Sequence, residues 1–328
     1  MNGSVRIGIL GAARIAPMAL IGPSRSVAEV GIAAVAARDP GRAGAFAKKH
    51  RIPRVHASYD DLLGDPDIDA IYNPLPNSLH CRWTIRALEA GKHVLCEKPF
   101  ASNAAEAEQM AEAAARSGRV LMEAFHWRYH PLAARMIEIA TDGTLGRIRH
   151  IETAMCVPLP LPGDIRYRYE LAGGATMDTG SYAVHMLRHL AAAEPEVTSA
   201  KARLSSPRVD RCMTADFSFA DGRTGRIACS LMSSSLLRIS ARVTGELGEM
   251  RVLNPVMPQF FHRLTVRTAN GKRVERLKGG PTYEMQLRAF AAAVTGGAPV
   301  ITSPADSIAN MRVIDRIYQA AGLGARGT

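Results

Sequence analysis

The sequence predicts an α/β protein in two parts. The first is a doubly wound parallel sheet, and the second an α+β part on a large, mostly antiparallel, open-faced sheet. Three observations carry this. Short apolar β-rich runs alternate with helical stretches over residues 5–124. From about residue 148 strand follows strand, with Asp221-Gly222 and Asn270-Gly271 as hairpin signals. The length, 328 residues, exceeds one ordinary core, and the change of pattern puts the domains at 1–125 and 126–328.

The elements follow in order. Val5–Leu10 reads as a strand, Gly11–Ala16 as a turn and the next residues as a helix to about Ser24. A second strand runs from Gly31 to Ala37, and Asp39 caps a helix that opens at Pro40, a favoured first helical residue, and covers 41–50. A short strand near 54–56, a helical turn over Tyr59–Leu63 and the strand Ile68–Tyr72 come next. Pro74 and Pro76 then fix an extended loop, with Ser78 expected to cap a helix to about Ala90. His93–Cys96 is a buried strand ending at Glu97-Lys98-Pro99. A helix over 103–117 and a sixth strand, Arg119–Ala124, complete the first part. In the second, helices are expected at 131–141 and from Met177 to Ala192, and the pair 282–296 and 304–321 is counted with it. Those helices cover one sheet face only. Met250, Val252, Val256, Met257, Phe260 and Phe261 read as exposed apolar surface on the sheet, so a homodimer or tetramer through that sheet is expected.

Net charge +11 and a pI near 9.8 raise the question of nucleic acid. The excess is spread out, with 19 basic and 15 acidic residues in 1–150 and 22 and 15 in the rest. A small phosphate-bearing ligand fits that better than a nucleic-acid track. Five scattered cysteines with no C-x-x-C pair indicate neither a zinc site nor a disulfide framework. With no leader pattern and no apolar run of membrane length, a cytoplasmic protein without a membrane partner is expected.

The chemistry-bearing residues lie at strand ends. A dinucleotide turn wants small residues at its first, third and sixth positions, for the bend, for the approach of backbone to pyrophosphate and for helix packing. Here these are Gly11, Ala13 and Ala16, with Arg14 and Ile15 between them. About 20 residues on, where an NAD enzyme places an acid for the ribose, stand Ala37 and Arg38; an arginine fork suits a 2′-phosphate, which favours NADP with NAD as the alternative. Pro74, Leu75, Asn77 and His80 belong to the loop expected against the nicotinamide half of the cofactor. Lys98, at the carboxyl end of its strand, is placed to put an ammonium into the ligand crevice. In the second part Asp178, Tyr182, His185 and His189 fall on one helical stripe behind Gly173-Gly174.

The glycine turn, the loop Pro74–His80, the approach Ala87–His93 and above all Cys96-Glu97-Lys98-Pro99 resemble the glucose-fructose oxidoreductase / inositol dehydrogenase / MocA family, from the first strand to the last helix. Met122–Pro131 resembles the branch of dimeric dihydrodiol dehydrogenases and NADP-linked xylose dehydrogenases. The resemblance implies a Rossmann domain and hydride transfer between NADP and a secondary alcohol or ketone of a sugar, cyclic polyol or dihydrodiol. It maps the glutamate-lysine-proline motif onto Glu97, Lys98 and Pro99, and the motif that follows the glycine pair onto Asp178 and Tyr182. Lys98 would hold the substrate oxygen, Tyr182 or Lys98 move the proton, and Asp178 orient Lys98 or a substrate hydroxyl, with no metal. Trp127, Arg128 and His130 are expected to face substrate, and the loop 157–171 to select it. His185 stays open between substrate and packing. A cofactor-binding sensor without turnover is the alternative.

Overall fold

The computed structural model describes residues 4–160, 163–232 and 237–327. The chain forms two compact units, Met1–His126 with Tyr283–Ile308, and Trp127–Thr282 with Ala309–Thr328. The switch at 126/127 falls beside the expected boundary. Residues 283–308, however, pack with the first unit, where the sequence reading had placed them in the second. Their ties are explicit: the Thr302 hydroxyl donates to the Glu123 carbonyl at 2.7 Å, and Arg288 Nη2 to the Ser26 carbonyl at 2.6 Å.

In the first unit six parallel strands, β1 (Val5–Leu10), β2 (Val30–Ala36), β3 (Arg54–His56), β4 (Ala70–Asn73), β5 (His93–Cys96) and β6 (Leu121–Glu123), lie in the order β3-β2-β1-β4-β5-β6. Ile7, Ile9, Ala70, Ile71, Val94 and Cys96 are fully buried, as expected of strands covered on both faces. Order reverses between β1 and β4, the point at whose carboxyl ends an open parallel sheet takes its ligand. Asp39 caps the helix Pro40–His50 as expected, accepting from Arg42 N–H at 3.1 Å. Ser78 does not cap. Pro76 is extended at ψ 146°, and the Leu79 amide closes on its carbonyl at 2.8 Å, making a 3₁₀ turn over Asn77–Leu79 before the α-helix His80–Glu89.

The second unit is built on eight strands: β7 (Ile148–Cys156), β8 (Glu196–Ser206), β9 (Val209–Ser218), β10 (Thr224–Ser230), β11 (Arg238–Gly245), β12 (Gly248–Leu253), β13 (Arg263–Thr268) and β14 (Gly271–Glu275). Their order is β14-β13-β12-β11-β7-β10-β9-β8, antiparallel except for β7 beside β10. Ile151, Ala215, Phe217, Ile227, Val243 and Leu264 form the buried side, against which the helix Ser181–Ala191 packs, tied by the Thr153 hydroxyl to the Ala183 carbonyl at 2.7 Å. The other side carries cross-strand charge pairs, Arg226 with Asp216 at 3.3 Å, Arg242 with Glu249 and Arg238 with Glu152 at 3.9 Å. This corrects one expectation. Met250 and Val252 alternate inward on β12 and are buried, as is Val256 beyond its end, and of the six apolar residues Phe260 and Phe261, at 72% and 61%, are the exposed ones. No described helix is long and apolar enough to cross a membrane.

Candidate active site

In the first unit the site is built from four strand ends, those of β1, β2, β4 and β5. Gly11 leaves β1 at φ +86°, a conformation that L side chains rarely adopt, and its amide donates to the Ala36 carbonyl at 2.6 Å. A Cβ at this position would lie 3.1 Å from Leu75 Cδ2, on the loop after β4. The missing side chain therefore leaves backbone open where strand order reverses, a cradle that fits a pyrophosphate. Ala16 is fully buried and lets the next turn, Pro17–Ile21, pack closely; Ala13 and Ile15 are half-buried and Arg14 is exposed. At the end of β2, Ala37 is buried and Arg38 exposed, while the Asp39 carboxylate is occupied as a helix cap. Those residues fit a 2′-phosphorylated ribose better than a bare one.

Lys98 follows β5 in a cis Lys98-Pro99 turn and is half-buried. Beside it Glu97 is buried, accepting from Tyr72 Oη at 2.7 Å and from the Lys98 amide at 3.3 Å. His80, buried, stands between the two loops, with Nδ1 at 2.8 Å from the Pro99 carbonyl and Nε2 at 2.7 Å from the Leu75 carbonyl. It thus lies between the turn carrying Lys98 and the loop after β4 that holds Pro74, Leu75 and Asn77, and its one N–H in the neutral ring can donate to one of the two carbonyls. Burial lowers the His80 pKa against those backbone bonds, and the Lys98 charge lowers it further. Sequence reasoning passed over His126. It is buried, its ring 4.1 Å from that of Tyr283, and burial with the nearby Lys98 charge brings its pKa down to about 3, so it is neutral at pH 7.

The second unit holds the other expected residues. Here the regular stripe from Asp178 to His189 is interrupted, because Thr176–Gly180 forms a π-turn before the α-helix Ser181–Ala191 begins. Asp178 Oδ2 pairs with Arg166 Nε at 2.9 Å, and Arg166 also reaches Asp164 at 3.2 Å. Asp178 is the main cause of a raised Arg166 pKa, so the guanidinium is a fixed charge beside that carboxylate. Only a folded chain could reveal this partner, since nothing in sequence couples 166 to 178. The Tyr182 side chain is buried, and Arg128 is half-buried with its guanidinium 5.8 Å from the Trp127 ring centre.

Three residues expected to face or border substrate have packing partners inside the unit. Trp127 is 0% exposed and donates its indole N–H to His185 Nδ1 at 3.2 Å, and His185, equally buried, also lies 4.4 Å from the His189 ring. His130 caps the helix Pro131–Thr141, accepting from Leu132 N–H at 3.0 Å, and burial, then His262, bring its pKa down to about 4. Of the loop 157–171, Leu161 and Pro162 lie outside the described residues; the rest makes two 3₁₀ turns, Ile165–Tyr167 and Tyr169–Leu171, the first capped by Asp164.

Comparison with known proteins bears on the whole chain. A family model described as an oxidoreductase family with an NAD-binding Rossmann fold matches residues 5–125, and one for the GFO/IDH/MocA C-terminal domain matches 133–251. The D-xylose 1-dehydrogenase (NADP(+)) 2 of Haloferax volcanii is 34% identical over 97% of this chain and 98% of its own. The chain belongs to the Gfo/Idh/MocA family of oxidoreductases. Within that family, the trans-1,2-dihydrobenzene-1,2-diol dehydrogenase of Mus musculus is 33% identical over 83% of this chain and 80% of its own, which sets the chain near the xylose and dihydrodiol branch. The structure of a 3-ketoreductase from Actinomadura kijaniata in complex with NADP and TDP-benzene superposes with a TM-score of 0.89 at 26% identity, covering 97% of this chain and 98% of that one.

Proposed function

We propose that this Gfo/Idh/MocA protein is an NADP-dependent dehydrogenase or reductase acting on a secondary alcohol or ketone of a sugar, cyclic polyol or dihydrodiol. One observation carries the reading. Gly11, Leu75, His80, Pro99 and Lys98 form a linked series across the carboxyl ends of β1, β4 and β5, so the turn that suits a dinucleotide and the lysine that suits a substrate oxygen are held by the same framework. The dinucleotide, when bound, supplies or accepts the hydride. Lys98 donates a hydrogen bond to the reacting oxygen and stabilises the charge that develops there. Tyr182 moves the proton. Asp178, held by Arg166, accepts from a substrate hydroxyl, and Arg128 offers a second polar contact. Arg38, with Asp39 occupied as a cap, receives the 2′-phosphate. The D-xylose dehydrogenase, the dihydrodiol dehydrogenase and the 3-ketoreductase to which the chain is similar support this substrate class.

The test is turnover with NADP+ against D-xylose, D-glucose, myo-inositol and a trans-dihydrodiol. At least one should be oxidised, and Lys98→Met should lower turnover on it at least about a hundredfold while cofactor still binds. Tight NADPH binding with no turnover in either direction would instead make the chain a cofactor-binding sensor. We propose also that two copies associate through the polar side of the C-terminal sheet, with Phe260 and Phe261 at its margin. The cross-strand charges there can pair between copies as they do within one.

A further inference from the structure

A buried ionic knot in the second unit holds the Gly173-Gly174 turn. Asp210, on β9, is fully buried, and its carboxylate accepts four hydrogen bonds. Oδ2 takes the Thr176 amide and hydroxyl, each at 2.7 Å, and Oδ1 takes Tyr318 Oη at 2.9 Å and Arg326 Nη2 at 3.1 Å. That matches the acceptor sites a carboxylate offers. Arg326, also 0% exposed, gives its Nε to the Gly173 carbonyl at 2.9 Å and sets its guanidinium 3.9 Å from the Tyr318 ring centre. Gly174 completes the fit. Its φ is +134°, and a Cβ on it would fall 2.2 Å from Asp210 Oδ1. The Asp178 amide bonds the Gly174 carbonyl at 3.1 Å, and the Gly174 amide bonds the Arg166 carbonyl at 2.8 Å. The knot therefore grips both ends of the path from the Arg166 loop into the Asp178–Tyr182 segment. A buried ion pair adds little net stability over an apolar filling of the same volume, and its best-attested use is to fix one conformation.

We propose that Asp210 and Arg326 are positioning residues for proton transfer. Arg326, the third residue from the carboxyl end of the given sequence, sets the turn from which the Asp178–Tyr182 segment starts. This rests on the reading of Tyr182 as the group that moves the proton. It would act through Tyr182 and touch neither substrate nor cofactor.

The test uses the full chain with Arg326→Gln and Arg326→Lys, on the sugar best turned over in the panel. Arg326→Gln should speed amide hydrogen exchange in residues 173–182, leave the NADPH dissociation constant within about twofold, and lower kcat by roughly ten- to a hundredfold, the scale of a small misplacement of a reacting group. Arg326→Lys, which keeps the charge opposite Asp210, should restore part of the loss. Arg326→Gln combined with Tyr182→Phe should be no slower than Tyr182→Phe alone, because residues acting as a unit do not lose rate multiplicatively. Unchanged exchange in 173–182, or multiplicative losses in the double variant, would overturn the proposal. So would accelerated exchange throughout residues 127–282 in both Arg326 variants, which would make the knot a general staple. If Tyr182→Phe alone kept normal turnover while Arg326→Gln still opened residues 173–182, the proton role of Tyr182 would fail and the positioning of the turn would stand.

Discussion

At the scale of single residues, Arg38 and Lys98 stand out as candidates because each follows a strand whose end can be read from local pattern. Arg38 carries a sharp expectation. Its exposed guanidinium follows an alanine, and Asp39, the acid next in sequence, caps a helix, so NADP(H) should bind more tightly than NAD(H). Hydrogen bonds to a charged group contribute about 1.5–3 kcal/mol, so Arg38→Ala should weaken NADP(H) about ten- to a hundredfold and leave NAD(H) nearly unchanged. Equal dissociation constants for the two cofactors in the unaltered protein would remove the assignment. Asp178 was legible as a residue, but its partner was not. Arg166 reaches it through a loop whose path depends on the Gly173-Gly174 turn, and no spacing rule anticipates such a contact.

At the scale of elements, the Asp39 cap was legible because the capping residue and the Pro40 helix start are adjacent in sequence, whereas Asn103 was read only as the start of a helix and the structure shows it as the cap. Asn103 accepts from the Glu106 amide at 2.9 Å, and Glu106 Oε2 accepts from the Ser102 amide at 2.8 Å, a reciprocal box at the start of the helix Ala104–Ser117. Asn103→Ala should cost about 1 kcal/mol, seen as a lower urea midpoint, with NADPH affinity kept. A midpoint unchanged within error would mean the helix start is held by packing alone. The π-turn at Thr176–Gly180 was not legible, since a helical stripe looks the same in sequence with or without one extra residue in a turn. Ser78 failed as a cap for a related reason: the proline two residues earlier set up a different turn.

At the scale of the whole molecule, buried histidines set a pH dependence. His126 is brought down to about 3 and His130 to about 4, and burial lowers His80 as well. A folded pKa below the unfolded value of about 6.5 means that the unfolded chain binds protons first. The stabilisation is therefore full above pH 6.5 and is lost as pH falls toward 4. Between pH 7.5 and 5, His126 and His130 should together remove about 4 kcal/mol, at 1.36 kcal/mol per pKa unit. Urea titrations at the two pH values measure it, and stability equal or higher at pH 5 would contradict the buried neutral state. Assembly belongs to this scale too. Light scattering at micromolar concentration should give at least twice the 35.3 kDa of one chain, and a value near 35.3 kDa would set aside the proposed pairing of sheets.

The sequence by itself determined the six-strand alternation, the two hairpins and the helix cap at Asp39, and it marked out Gly11, Arg38, Lys98 and Tyr182 as candidates. All of these rest on hydrogen bonds, backbone preferences or apolar periods spanning a few residues, so they are written locally. Only the tertiary structure decided that residues 283–308 join the first unit, that Met250, Val252 and Val256 turn inward, and that Trp127, His130 and His185 are held inside the second unit. It alone brought Arg326 to Asp210 across 116 residues. Those contacts depend on which surfaces meet after the chain closes long loops. A charged residue near the end of a sequence looks the same whether it will be solvated or will lock a buried turn.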